Sequence, residues 1–208
     1  YQVVRDNVDE LITDLKKHDI SKEYFMEIRN IDRTEDYENW SSVQRASRFI
    51  YLNRTCFNGM YRVNSKGEFN VPFGYYKNPR IVDENNLTNC SNLLQRTEIR
   101  HADFSEILTK VQEDDFVYFD PPYVPLSETS GFTSYTKDGF DIDMQFKLRD
   151  VCDELDARGV KFLLSNSDTK LVNELYENYN IKKVFASRQI NANADGRGKI
   201  TEVLVRNY

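Results

Sequence analysis

The stretch Phe116-Val117-Tyr118-Phe119-Asp120-Pro121-Pro122-Tyr123 decides the fold class of this 208-residue chain. Its first half is aromatic and β-branched, which is typical of a short buried strand, and two prolines end that strand in a stiff turn. In open α/β sheets, ligands bind at the carboxyl ends of the strands. Asp120 and the Pro121 carbonyl can both accept hydrogen bonds from one amino group, and the Tyr123 ring can stack on it. A nucleobase presents both an amino group and a π-face, so we predict a nucleobase site here; a plain strand-ending turn is the alternative.

The order of the elements around this stretch predicts an α/β fold. Apolar residues at helical spacing predict helices over residues 3–17, 22–29, 42–52, 84–95, 105–111, 141–158 and 169–179. Ser21 is expected to cap the second of these helices, and Ser41 or Ser42 the third. Short apolar runs predict strands over residues 97–100, 116–119, 160–164, 181–187 and 202–206. Alternation of strands and helices favours a largely parallel sheet, and the last two strands suit an antiparallel hairpin. Loops are expected at residues 32–38, 124–139 and 191–199, the second long enough to be a lid and the third with a turn at 195–198.

The charge distribution indicates a polyanionic partner. The chain has a net charge of −6, but residues 45–80 carry seven basic residues and one acid, which leaves +6 on this segment and −12 on the rest. A basic patch on an acidic body is typical of a nucleic-acid surface, and a solvated positive loop is the alternative. Asn58-Gly59 and Gly67 predict hairpin turns within the segment. Its aromatic residues can stack on or wedge between bases, although we expect Phe69 and Phe73 to form the hairpin's own core.

Other classes of function are disfavoured by composition. The three cysteines are far apart and the two histidines are scattered, so we expect no metal site. Unpaired cysteines and the lack of a signal peptide favour a reducing, cytoplasmic location. No apolar run approaches the length needed to span a membrane.

Two motifs, in the expected order, resemble the Dam-type DNA adenine-N6 methyltransferases. One is the Asp120-Pro121-Pro122-Tyr123 stretch followed by Phe132, Thr133 and Tyr135. The other runs from Leu52-Asn53-Arg54 through Phe57-Asn58-Gly59-Met60 to Pro72-Phe73-Gly74. The resemblance extends over essentially the whole chain. It implies a Rossmann-like methyltransferase sheet with helices on both faces, together with an inserted helical and β-hairpin DNA-recognition domain.

The resemblance also implies a reaction and a division of labour. The reaction is methyl transfer from S-adenosylmethionine to adenine N6 in double-stranded DNA, commonly within GATC, on a base flipped out of the duplex. Residues 1–20 and 97–208 are expected to form the catalytic domain, and residues 21–96 the target-recognition domain.

Three sets of site residues follow from the resemblance. The catalytic set is Asp120, Pro121, Pro122 and Tyr123. The cofactor set is Asp103, Phe104 and Asp120, with the first two at the adenine end of the cofactor. The DNA-binding set is Arg54, Phe57, Asn58, Met60, Arg62, Asn64, Pro72 and Lys77. In that set, Phe57 and Asn58 correspond to a hairpin tip that enters the duplex, Arg62 to a guanine reader, and Met60 and Pro72 to apolar contacts near the target bases. We expect the remaining basic residues of the segment to contact phosphates.

One part of the family pattern has no counterpart in these residues. The family places a glycine-rich cofactor loop before the first long helix, and this sequence does not match it. We therefore expect a companion N-terminal segment or chain that carries the loop, and weak binding of S-adenosylmethionine by this chain alone. A methyltransferase acting on another planar amine, in RNA or a protein amide, and a non-catalytic DNA-binding module are the alternative functions.

Overall fold

Two hydrophobic cores divide the chain into two compact units, Tyr1–His101 and Ala102–Tyr208. The computed structural model describes residues 1–126, 140–187 and 199–208. None of the helices described in these ranges is long and apolar enough to cross a membrane.

The first unit is helical around a core that includes Leu11, Phe25 and Tyr51. Its helices are α1 (Gln2–Asp6), α2 (Val8–Leu15), α3 (Lys22–Asn30), α4 (Ser42–Thr55) and α5 (Glu84–Leu94), with short 3-10 helices at Ile31–Arg33, Glu35–Asn39 and Phe57–Gly59. Ser21 caps α3 by accepting from the Tyr24 N–H, as predicted. Ser41 begins α4 with a capping box, because its side chain and that of Gln44 each accept from the other residue's N–H.

Two local predictions for this unit were wrong. The helix predicted over residues 3–17 is interrupted at Asn7, whose φ of −136° and ψ of 38° are not helical although the apolar spacing continues across it. Residues 97–100 form no strand. Their carbonyl groups instead accept from side chains of α1: Thr97 from Arg5 at 3.1 Å and Ile99 from Gln2 at 3.0 Å.

The expected division into a catalytic domain, residues 1–20 and 97–208, and a target-recognition domain, residues 21–96, stays a prediction. In the structure, α1 and α2 belong to the compact unit Tyr1–His101.

A buried ion pair joins α4 to the 3-10 helix at Ile31–Arg33. The Arg48 guanidinium lies 2.7 Å from the Asp32 carboxylate, and both side chains are 8% exposed. Arg48 also donates to the carbonyls of Ile28 and Arg29, at 2.8 and 2.7 Å. Asp32 also accepts from the Phe69 N–H at 2.8 Å. Asp32 therefore connects the helical core to the segment predicted to read DNA, rather than lying in a plain loop.

The second unit is a four-stranded sheet with helices packed on it. After a 3-10 helix at Phe104–Thr109 come β1 (Phe116–Phe119), α6 (Ile142–Ala157), β2 (Lys161–Ser167), α7 (Lys170–Leu175), β3 (Asn180–Ser187) and β4 (Lys199–Arg206). The strand order is β1-β2-β4-β3. This is the mixed α/β class that was predicted, and it is consistent with a methyltransferase fold.

The pairing of the strands refines the prediction of a largely parallel sheet. β1 pairs with β2 in parallel, with Phe119 opposite Leu164. β4 pairs antiparallel with both β2 and β3, so β1, β2 and β3 all run in the same direction. The predicted antiparallel closing pair is present, but its second strand lies between β2 and β3. Residues 132–135 and 195–198, which carry part of one motif and a predicted turn, lie outside the described residues, as does most of the predicted lid.

Candidate functional site

The Asp120 carboxylate lies directly after β1 and is oriented by the neighbouring strand. The parallel register brings Ser165 of β2 beside it, and the Ser165 hydroxyl lies 3.1 Å from Asp120 Oδ1. Ser165 donates this hydrogen bond and the carboxyl oxygen of Asp120 accepts it. The Tyr118 hydroxyl lies 3.0 Å from Ser165 Oγ and is therefore the donor in that contact. Two successive hydrogen bonds, from Tyr118 to Ser165 and from Ser165 to Asp120, therefore hold one oxygen of the exposed Asp120 side chain in place.

The backbone that follows Asp120 is held by buried polar side chains. Gln145 of α6 donates to the Pro122 carbonyl at 3.1 Å. Asn166 of β2 accepts from the Val124 N–H at 3.0 Å, and Ser167 donates to the Val124 carbonyl. These contacts fall on both sides of Tyr123, so they fix the course of the chain through the predicted catalytic residues.

Two hydrogen-bond acceptors remain for a ligand at this loop. Among the described residues, the hydrogen bond to the Asp120 side chain reaches Oδ1, and none reaches Oδ2 or the Pro121 carbonyl. The Tyr123 side chain is half-buried. Burial raises the pKa of its phenol, Ser165 acts in the opposite direction, and the charges of Glu202 and Asp120 raise it further. The ring is therefore neutral at physiological pH, as a stacking surface for a base requires.

The predicted cofactor residues lie at the start of the 3-10 helix Phe104–Thr109. Asp103 caps this helix through Oδ1, which accepts from Ser105 and from the Lys147 ammonium at 2.9 Å. Hydrogen bonds from Ser105 and Lys147 lower the pKa of Asp103 to about 2. Oδ2 of Asp103 makes no hydrogen bond to a described residue, and the adjacent Phe104 ring packs 5.7 Å from the ring of Phe140. An ionised acceptor next to an anchored ring suits the exocyclic amine and the flat face of an adenine.

The predicted hairpin tip is a tight turn in the first unit. Asn58 and Gly59 have φ values of 54° and +60°, a left-handed conformation that asparagine and glycine tolerate best. The Phe57 N–H donates to the Pro72 carbonyl at 2.8 Å, and the Phe57 side chain is exposed. The structure thus places an exposed aromatic ring on a tight turn whose backbone is hydrogen-bonded to Pro72.

The segments on either side of the second turn run antiparallel, but as isolated bridges rather than continuous strands. Val63 pairs with Phe69, and the Asn70 N–H donates to the Arg62 carbonyl at 3.0 Å. The exposed Arg62 side chain donates from Nε to Asn70 Oδ1 at 2.6 Å. Phe69 is buried, as predicted. The guanidinium of Arg62 is therefore held on one side and exposed on the other.

The remaining DNA-binding candidates differ in how free their side chains are. Arg54, Pro72 and Lys77 are exposed, and Met60 is half-buried. The Asn64 amide is engaged within its own turn, where it accepts from the Lys66 and Glu68 N–H groups and donates to the Glu68 carboxylate. Its role at DNA stays a prediction.

The phosphate contacts expected of the other basic residues need one correction. Arg48 is buried and paired with Asp32, so it is part of the core and does not lie on a DNA-binding surface. Arg45 donates to the backbone carbonyls of Tyr37, Glu38 and Trp40. The basic patch is therefore smaller than the charge count of residues 45–80 indicates.

Comparison with known proteins gives the family. The sequence matches the family described as D12 class N6 adenine-specific DNA methyltransferase over residues 1–190. The chain belongs to this family. It is 48% identical to a type II methyltransferase of Lactococcus lactis subsp. cremoris over 212 aligned residues, which cover all of this chain and 75% of that protein. It is 46% identical to a type II methyltransferase of Methanocaldococcus jannaschii, again over all of this chain and 75% of the relative. A DNA adenine methylase of Escherichia coli is 32% identical over 98% of this chain and 73% of its own length.

Sequence reasoning missed the residues that hold the site in this family member. Gln145, Ser165, Asn166 and Ser167 are all buried, and each contacts the loop after β1 or another residue of this group. Three of them, Ser165, Asn166 and Ser167, form a polar run at the end of an apolar strand. That run could have been recognised from the sequence, because the carboxyl ends of parallel strands lie at one edge of the sheet. No group of three or more histidine, cysteine, aspartate or glutamate residues in the described part of the chain is arranged to hold a metal ion.

Proposed function

We propose that this methyltransferase transfers a methyl group from S-adenosylmethionine to N6 of adenine in double-stranded DNA, within GATC, by flipping the base and transferring the group directly. The observation that carries the proposal is the pair of available acceptors, Asp120 Oδ2 and the Pro121 carbonyl, on a loop held by buried side chains. An adenine amino group has two N–H bonds, and one acceptor exists for each.

The chemistry explains why such acceptors are needed. Adenine N6 is a weak nucleophile because its lone pair is delocalised into the ring. Acceptors for both N–H bonds favour a pyramidal nitrogen and stabilise the positive charge that develops on it. Tyr123 supplies a face on which the extruded base stacks. A covalent enzyme intermediate is not needed.

The residues present fit the adenine end of the cofactor. Asp103 offers an ionised acceptor and Phe104 a ring beside it. When bound, S-adenosylmethionine supplies a methyl group activated by a sulfonium centre. The companion segment for its other end stays a prediction, and mass analysis of active material for a further polypeptide tests it.

The catalytic assignment is tested with Asp120→Ala in the active form of the protein. We expect the single-turnover rate of methyl transfer to fall about 100- to 1,000-fold, as when one preorganised polar group is removed from an active site. Duplex binding and melting temperature should barely change, because Asp120 is exposed. Asp114→Ala, which removes an exposed acid just before β1, is the matched control. A near-normal rate for Asp120→Ala would exclude a chemical role.

Arg62 is proposed to read guanine. A guanidinium held by Asn70 on one side can pair bidentately with O6 and N7 of guanine in the major groove. A phosphate contact is the alternative, and it would position the protein without reading sequence.

Affinities for GATC and for single-base variants, measured at two salt concentrations, separate these roles. If Arg62 reads guanine, Arg62→Ala weakens binding to GATC by about 1–3 kcal/mol and changes binding to the single-base variants of the site by little. The control is Lys66→Ala, which removes an exposed charge from the turn of the same hairpin. The control should weaken binding to all duplexes alike and reduce the salt dependence by about one counterion. If Arg62→Ala behaves as the control does, Arg62 does not read sequence.

A further inference from the structure

Two buried side-chain amides hold the loop that carries the candidate nucleobase site. Gln145 lies on α6 and is 1% exposed, and Asn166 lies on β2 and is 0% exposed. Burial of an amide is unfavourable unless its polar atoms are hydrogen-bonded. The partners of the two side chains therefore show how each amide group is oriented.

The orientation of both amides follows from their partners. The N–H groups of Val124 and Ser167 reach one atom of Asn166, at 3.0 and 2.9 Å. A backbone N–H can only donate, so that atom is the oxygen Oδ1. The Asn166 nitrogen then faces Gln145 at 3.3 Å, and Gln145 must present its own oxygen there. The Gln145 nitrogen is left to donate to the Pro122 carbonyl at 3.1 Å.

A one-way chain of hydrogen bonds therefore runs from Val124 through Asn166 and Gln145 to Pro122. Its two ends lie on either side of Tyr123. The loop needs such support because two consecutive prolines have no N–H with which to join a sheet. Here the carbonyl of the second proline, Pro122, and the N–H of Val124 form the hydrogen bonds that hold the loop.

We infer that Gln145 and Asn166 are positioning residues for methyl transfer. By fixing the backbone from Pro122 to Val124 they hold the Tyr123 ring and the Pro121 carbonyl in the arrangement that the base meets. This inference rests on the proposed function and adds two residues that contact neither base nor cofactor. A displacement of about 1 Å of a reacting group lowers a rate by about 100-fold, so the effect of losing this support is measurable.

Gln145→Glu separates positioning from mere stabilisation through the pH dependence of the rate. The carboxylate has the shape of the amide and still accepts from Asn166, but it cannot donate to Pro122. Once protonated, the introduced carboxyl can do both, and burial raises its pKa towards the assay range. We expect the single-turnover rate, relative to wild type, to be about 10- to 100-fold lower at pH 8 and to recover as the pH is lowered. Gln145→Met has no donor at any pH, and its rate should stay low throughout.

A second readout is independent of methyl transfer. Amide hydrogen exchange measured by NMR should show Val124 protected in the wild type and fast in Asn166→Ala. The matched control is Val151→Ala, which removes buried side-chain volume from α6 but none of the side-chain hydrogen bonds to the loop. We expect this control to lower the melting temperature but to leave Val124 exchange and the transfer rate near wild type.

Each outcome has a defined consequence. The inference is overturned if Gln145→Glu matches the wild type at every pH, if Val124 exchange is unchanged in Asn166→Ala, or if Val151→Ala lowers the transfer rate equally. If the wild type transfers no methyl group even with the expected companion segment present, while Val124 exchange responds as expected, the proposed function fails and the loop-holding role of the amides is upheld.

Discussion

The Asp32–Arg48 pair allows a stability prediction worked from its contacts. Asp32→Ala removes the acceptor of the Arg48 guanidinium at 2.7 Å and of the Phe69 N–H at 2.8 Å. Breaking a buried ion pair from one side costs about 3–5 kcal/mol, since the other charge is left buried. Arg48 keeps two carbonyl acceptors, which moves the expected loss of unfolding free energy to about 3 kcal/mol, the lower end of that range. The partly exposed Arg33, which also donates to Asp32, can turn to water and adds little.

The assay is urea unfolding followed by the fluorescence of Trp40, the chain's one tryptophan, which lies in the first unit. Asp36→Ala is the matched control, because Asp36 is exposed in the next 3-10 helix. We also expect Arg48→Met, added to Asp32→Ala, to restore stability, since it removes the stranded charge. An Asp32→Ala variant within about 0.5 kcal/mol of the control would refute the reasoning, because that is the range of ordinary surface substitutions.

Three further predictions use the same protein. Gly74→Ala should destabilise the first unit by about 1–3 kcal/mol in urea unfolding, because a Cβ there would lie 2.6 Å from the Cys56 carbonyl oxygen. Burial lowers the pKa of His18 below its ordinary value of 6.5. The stability that neutral His18 contributes to this unit is therefore complete above pH 6.5 and is lost as the pH falls through the lowered pKa. His18→Gln should flatten the dependence of unfolding free energy on pH, measured in unfolding experiments at several pH values. Asn70→Ala should narrow the preference for GATC over single-base variants in competition binding, by less than Arg62→Ala, because it frees the guanidinium without removing it.

The elements that sequence reasoning predicted well are those with local signals. Strand β1 and the acid that follows it were predicted from eight consecutive residues, and the strand was confirmed with the predicted bounds, Phe116–Phe119. The caps at Ser21 and Ser41 depend on contacts within three residues of each serine. The boundaries of these helices were therefore accurate to a few residues.

The residues that sequence reasoning missed have their partners far away in the chain. Gln145 and the Pro122 carbonyl are 23 positions apart, and Asn166 and the Val124 N–H are 42 apart. Nothing in the helical spacing around Gln145 marks it as buried, because glutamine is usually exposed. Arg48 was misjudged for the same reason, since its partner Asp32 lies across the fold in a segment that looked like a loop.

Both backbone tips proposed to act on DNA have the same kind of support. The loop after β1 leaves the sheet at two prolines, and the hairpin around Arg62 is paired only at isolated bridges within its described residues. In each case a buried side chain on a neighbouring element accepts from the backbone: Asn166 from Val124, and Asp32 from Phe69. Regular strand pairing would spread such support over many equivalent bonds, whereas here it is concentrated in a few side chains. Methyl transfer and site preference should therefore be sensitive to substitutions at residues that never contact DNA.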